Sequence, residues 1–190
     1  MHTFSNIAEL LTTAGYLLAA IAYITAYIKP TASFANLRGT LLTVTLPIQV
    51  IFIGSVSADL HHCLVTSGLE VIELLAFVIG LMYLVLERVT KSQASGVFIV
   101  PVVFVLQLVG SFRSPSVEVS KLYGSVAMNL HVTNALFGYA ALAMAGAYGG
   151  MYLLLFRSIK RGTFGKAFDR FPSLGSLEQM SIVAVHDGPA

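Results

Sequence analysis

One histidine stands inside a long apolar stretch of this chain. Between Gly124 and Phe156 the sequence carries no acidic or basic side chain apart from the imidazole of His131. On a helix, Asn134 and Gly138 share the face of His131 at i+3 and i+7. A neutral imidazole above small residues fits an axial ligand of haem iron. A second interpretation is a ring hydrogen-bonded to a neighbouring helix, since polar side chains in membranes need partners.

Two carboxylates and a pair of histidines are the other residues that could carry chemistry. Glu70 and Glu73 are three residues apart and therefore share one face of a predicted helix. The pair could form a proton path, a cation site or a polar contact between helices. His61 and His62 are adjacent and chelate one metal poorly, so we predict a solvated loop that could assist a haem secondarily. The single Cys63 excludes a disulfide within the chain.

The composition predicts the class of protein that holds these side chains. Of 190 residues, 56% are hydrophobic and 11% are charged, whereas a soluble domain has about 25% charged residues. The sequence therefore predicts an all-α, multi-pass transmembrane helical bundle. It contains no P-loop, no dinucleotide-binding motif and no basic aromatic patch, so we expect no nucleic-acid partner.

Five apolar runs predict five spans. Their bounds are Ile7 to Ile28, Leu37 to Val56, Val65 to Leu86, Gly96 to Phe112 and Gly124 to Phe156. Residues 1–156 would form the membrane domain, and residues 157–190 a basic tail with a short incomplete or interfacial helix. Nine of the eleven lysines and arginines fall on one side of these spans. The positive-inside rule then places the N-terminus outside, the tail in the cytoplasm, and His131 near the outer surface.

Several short motifs resemble the CcsA, CcmC and HemX-like family of cytochrome c assembly proteins. The pair His131-Val132, followed by small residues and Tyr139-Ala140-Ala141, is similar to that family's histidine helix. The segments Thr66 to Glu70, Glu87 to Pro101 and Pro172 to Ser181 resemble other family motifs in the same order, so the likeness covers Val65 to Ser181.

The resemblance implies a membrane protein that handles haem for attachment to apocytochrome c. It implies haem b as cofactor, with His131 as an axial ligand, and a bacterial inner membrane or an equivalent energy-transducing membrane. Asn134 and Gly138 would lie on the same helix face as this ligand, and a second ligand could come from His61 or His62, from another chain or from nothing. The family continues with a tryptophan-rich segment and a second ligand histidine. This chain has no tryptophan, so we expect a truncated member or one part of a split one.

Three functions stay open at this stage. The first is the haem-handling factor, without catalysis in this chain alone. The second is a non-catalytic accessory subunit that docks against other membrane protein chains through its small-residue faces. The third is a small proton or ion transporter that uses Glu70 and Glu73.

Overall fold

The computed structural model describes residues 2–29, 32–60, 68–90, 95–112 and 126–161, together with Gly175, Glu178 and Ile182. Every regular element in these residues is an α-helix. In chain order they are α1 (His2–Ile28), α2 (Ala32–Leu60), α3 (Gly68–Thr90), α4 (Gly96–Gly110) and α5 (Val126–Lys160). The prediction of an all-α protein with five apolar helices is confirmed.

Four of these helices are long and apolar enough to cross a membrane: α1, α2, α3 and α5. The fourth in order, α4, has 15 residues and a length of about 22 Å, less than the roughly 30 Å of a hydrocarbon core. Large apolar side chains cover the outside of the bundle, among them Leu10 (70% exposed), Leu142 (66%) and Val102 (53%). Water would penalise such a surface, so the bundle belongs in a lipid bilayer. Its orientation stays a prediction.

Four helices extend beyond the predicted spans, the first being α1, which begins at His2 and not at Ile7. Helix α2 begins at Ala32 and continues through Asp59 to Leu60, past the predicted end of the second span at Val56. Similarly, α3 continues to Thr90 and α5 to Lys160. Hydropathy marks where the apolar run stops, but a helix satisfies its own backbone and can continue into the polar interface. The tail prediction lies mostly outside the described residues.

The centre of the bundle lies among α1, α2, α3 and α4. Helix α1 packs chiefly against α2 and α4, and α3 packs against α4. Alanines let α1 approach its neighbours, and Gly15 is required where α1 meets α2, because a Cβ atom there would lie 2.9 Å from Cγ2 of Thr45. Around this contact the core is filled by Tyr16, Ala19, Leu42, Leu46, Ala76 and Val103.

Helix α5 lies at the edge of the bundle. Its main contact is with α3. The side chains that it buries recur at helical spacing: Leu136, Ala140, Ala141, Met144, Tyr148, Met151 and Leu155. Because these residues occupy one face, the opposite face of a 35-residue helix is left uncovered by the described part of the chain.

Candidate functional site

A hydrogen-bonded cluster of polar side chains joins four helices in the middle of the bundle. We call Tyr16, Gln49, Glu73 and Gln107 the glutamine cluster. The Tyr16 hydroxyl donates to Oε1 of Gln49. Nε2 of Gln49 donates to Oε1 of Gln107 at 2.7 Å and to the backbone carbonyl of Glu73 at 3.2 Å. Nε2 of Gln107 in turn donates to Oε1 of Glu73 at 3.4 Å. The donors therefore run in one direction, from the phenol to the carboxylate.

The local sequence makes room for this cluster. Gly110 on α4 is close to Glu73, and a Cβ atom at position 110 would collide with Cγ of that glutamate. Tyr16, Gln49, Glu73 and Gln107 are each at most 3% exposed. Buried amides and carboxylates in an apolar bundle are costly unless they are hydrogen-bonded, so these contacts fix how α1, α2, α3 and α4 fit together.

A second polar cluster lies towards the end of the bundle where α4 begins. We call Tyr23, Tyr83, Glu87, Ser95 and Tyr148 the tyrosine cluster. The Tyr23 hydroxyl donates to Oε2 of Glu87, and Ser95 Oγ lies 3.3 Å from the Tyr148 hydroxyl. The rings of Tyr23 and Tyr83 meet edge to face with centroids 5.8 Å apart. All five side chains are buried.

Two arginines flank the tyrosine cluster. Cζ of Arg38 lies 5.8 Å from the centroid of the Tyr23 ring, within the range of a cation–π interaction. Nη2 of Arg88 donates to Oγ1 of Thr43 at 3.0 Å, which links α3 to α2. Positive charge therefore lies beside a cluster that contains the carboxyl group of Glu87.

Apolar side chains separate the two clusters. Glu73 and Glu87 are 14 residues apart on α3, about 21 Å along the helix. Between them, Leu46 and Val103 pack around Gly80, next to the Tyr16 hydroxyl at the edge of the glutamine cluster. The hydrogen bonds described above do not run from this point to the tyrosine cluster. The two clusters thus form two separate groups.

His131 lies on the uncovered face of α5. Its side chain and that of Asn134 are exposed, and His131 makes no hydrogen bond or ion pair with the described residues. Gly138 has no atom within 4 Å of the position that a Cβ would take. His131 also falls within the apolar segment Leu130–Lys160 that is long enough to span a membrane. A polar ring on this face is open to a ligand or a partner helix.

The other predicted site residues have different surroundings. Glu73 belongs to the glutamine cluster, whereas Glu70 is half-buried one turn away. His61 and His62, with Cys63, lie outside the described residues. Within the described ranges, no three His, Cys, Asp or Glu side chains come together as a metal would require. The structure therefore brings His131, Asn134 and Gly138 onto one helix face and does not group them with the glutamates.

An open groove runs between α4 and α5, with α3 as its floor. Its volume is about 370 Å³. Apolar residues line it, including Ile79 from α3, Phe98 and Ile99 from α4, and Met144, Gly150 and Met151 from α5. A groove of this size and lining suits part of a small lipophilic molecule.

Sequence reasoning did not connect the members of either cluster. A signal was present, because each amide or carboxylate in an apolar helix needs a partner, and Gln49, Gln107 and Glu73 are three such groups in neighbouring spans. The buried tyrosines gave no such signal, because a tyrosine ring also packs in a core as an ordinary hydrophobic group. Comparison of the chain with family models, curated proteins and solved structures finds no match.

Proposed function

We propose that this protein is a membrane haem-handling subunit and that His131 supplies one axial ligand. The observation that carries the proposal is the exposed imidazole of His131, on an apolar helix face that no described helix covers. Leaving a polar ring in lipid without a partner is unfavourable, so the ring needs a ligand or a neighbour. The resemblance of the surrounding motifs to the cytochrome c assembly family favours haem as that ligand.

The described residues fit one side of a haem. The space next to Gly138 is open, so a flat macrocycle has room to lie along the helix face that carries His131. The amide of Asn134 lies on the same face and can form a hydrogen bond. When bound, haem would supply a redox-active iron. Among the described residues only His131 is placed to hold that iron, so we propose that the second ligand comes from elsewhere, from His61 or His62 or from another chain.

An absorbance experiment tests this function. Protein purified in detergent is titrated with haemin, and the bound haem is read from the Soret band. We expect binding in the unmodified protein and its loss in His131→Ala. Tyr139→Phe, a change at another exposed position of α5, should leave binding intact. Equal haem binding by His131→Ala and the unmodified protein would exclude the proposed ligand.

A second function, an accessory subunit of a larger membrane complex, has its own supporting observation. Gly146 and Gly150 are exposed on α5 with no atom within 4 Å of a Cβ position, so another helix could approach closely there. Colourless protein that co-purifies with partner chains at fixed stoichiometry, and loses them on Gly146→Leu, would favour this function over haem handling.

Proton or ion transport through Glu70 and Glu73 is the third proposal. The buried carboxyl group of Glu73 in the glutamine cluster supports it. The apolar side chains of Leu46 and Val103 at Gly80 oppose it, because proton transfer needs an unbroken chain of hydrogen bonds or water. Proton flux into liposomes that disappears in Glu73→Gln would restore this proposal.

A further inference from the structure

The hydroxyl of Tyr83 has no hydrogen-bond partner among the described residues. Tyr83 is 0% exposed, so water in the surroundings cannot compensate directly. An unsatisfied buried hydroxyl costs about 1–3 kcal/mol. Beside it lies Gly96, where a Cβ atom would collide both with this hydroxyl and with the Tyr23 ring. The start of α4 thus packs closely against a hydroxyl that still needs a partner.

This hydroxyl belongs to a cluster that lies within one helical turn of the groove. Tyr83 follows the groove residue Ile79 by four positions on α3, and Ser95 precedes Phe98 by three positions at the start of α4. Tyr148 lies between Met144 and Met151 on α5. Since one turn is about 5.4 Å, the tyrosine cluster and the groove are adjacent on all three helices.

We propose that the groove between α4 and α5 binds a lipid-soluble quinone or quinol, with its ring oxygen hydrogen-bonded to Tyr83 and its isoprenoid tail along the groove. The apolar lining suits the tail, and the groove opens to the bilayer through the exposed side chains of Phe98, Val102 and Leu154. The Tyr83 hydroxyl can donate to a quinone carbonyl or accept from a quinol hydroxyl.

The burial of the site favours a neutral head group. Tyr83 is 0% exposed, and moving a fatty-acid carboxylate or a lipid phosphate from water to such a buried position costs far more than moving a neutral group. A hydrocarbon chain alone would leave the hydroxyl unsatisfied. A neutral carbonyl or hydroxyl on an apolar body meets both requirements.

The side chains between groove and cluster can move. Met144 and Met151 line the groove on either side of Tyr148 and are buried. Methionine is unbranched and changes rotamer readily, so a ring can displace these thioethers without shifting the backbone. Entry of the head group towards Tyr83 would then involve a change of these methionine rotamers.

Thermal unfolding of the purified protein in detergent tests the site, since a ligand of the folded state raises the unfolding temperature. The probes are decylubiquinone and decylbenzene, which share a tail but differ in the ring oxygens. We expect decylubiquinone to stabilise the protein more than decylbenzene. Tyr83→Phe should weaken decylubiquinone binding about two- to tenfold, the effect of losing one hydrogen bond, and leave decylbenzene unaffected.

Substitutions in the groove provide the second arm. Gly150→Leu places a side chain in the groove and should weaken binding of decylubiquinone more than tenfold, about 1.4 kcal/mol. Gly54→Leu is the matched control, because position 54 is exposed on α2, has open space and does not line the groove. The Gly150→Leu variant tests the groove even if Tyr83→Phe does not fold. Equal stabilisation by both probes, or binding unchanged in Gly150→Leu, would overturn the proposal. Both readouts are independent of haem.

Discussion

Replacing Gln49 with leucine should test whether the glutamine cluster holds the four central helices together. Leucine has a similar volume, so the substitution removes polar contacts with little change in packing. Three hydrogen bonds disappear: the one from the Tyr16 hydroxyl and those to Gln107 and to the Glu73 carbonyl. The groups left behind stay buried, because Tyr16 and Gln107 are 0% exposed.

The magnitude follows from the three hydrogen bonds that the substitution removes. Hydrogen bonds between membrane helices average about 0.6 kcal/mol each, which for three gives about 2 kcal/mol. A buried group left without a partner adds about 1–3 kcal/mol in soluble proteins. We therefore expect Gln49→Leu to lower the free energy of unfolding by about 3–5 kcal/mol.

Reversible unfolding in bicelles, followed by circular dichroism or steric trapping, provides the measurement. The control is Val50→Leu, an apolar change at the next position of α2, where the side chain is 53% exposed; it should change stability by less than about 0.5 kcal/mol. The double variant Gln49→Leu/Gln107→Leu should be less destabilised than the sum of the single variants, because the two amides bond each other. Additive effects, or a loss for Gln49→Leu no larger than the control's, would refute the role of this cluster.

Two further substitutions test the tyrosine cluster. Gly96→Ala should destabilise the protein by about 1–3 kcal/mol, because the new methyl group would collide with Tyr23 and Tyr83. The control Gly54→Ala lies in open space and should be neutral or stabilising by up to about 1 kcal/mol. Equal effects of the two variants in thermal unfolding would contradict the close approach at Gly96. Tyr83→Phe should raise the stability of ligand-free protein by up to about 1–3 kcal/mol, because it removes an unsatisfied hydroxyl, and a clear drop in unfolding temperature would show that this hydroxyl already has a partner.

Length and hydropathy were sufficient to predict the helices. Each apolar run became one helix, and the errors fell at the ends, as at Asp59 and Leu60, where a helix passes from lipid into the interface. Periodicity also placed His131, Asn134 and Gly138 on one face of α5, because that relation depends on a single helix. Both results use information that is local in the sequence.

The polar clusters could not be predicted in the same way. Gln49, Glu73 and Gln107 come from three helices, and their contacts depend on which faces meet and at what height. The sequence paired Glu70 with Glu73 because they are three residues apart. In the structure, Glu73 instead bonds Gln107, 34 positions along the chain, at a point that Gly110 leaves open. Contacts between helices were the information that the sequence lacked.

The position of α5 explains why the two ligand proposals can be tested separately. Its buried face holds Tyr148 and the groove residues Met144 and Met151, whereas His131 lies on the uncovered face, 13 residues before Met144. That separation is about 20 Å along the helix. His131→Ala should therefore remove a haem spectrum and leave the response to decylubiquinone, and Gly150→Leu should do the reverse. A variant at either position that abolished both responses would mean that α5 had lost its place against α3, and neither binding result could then be assigned to a local contact.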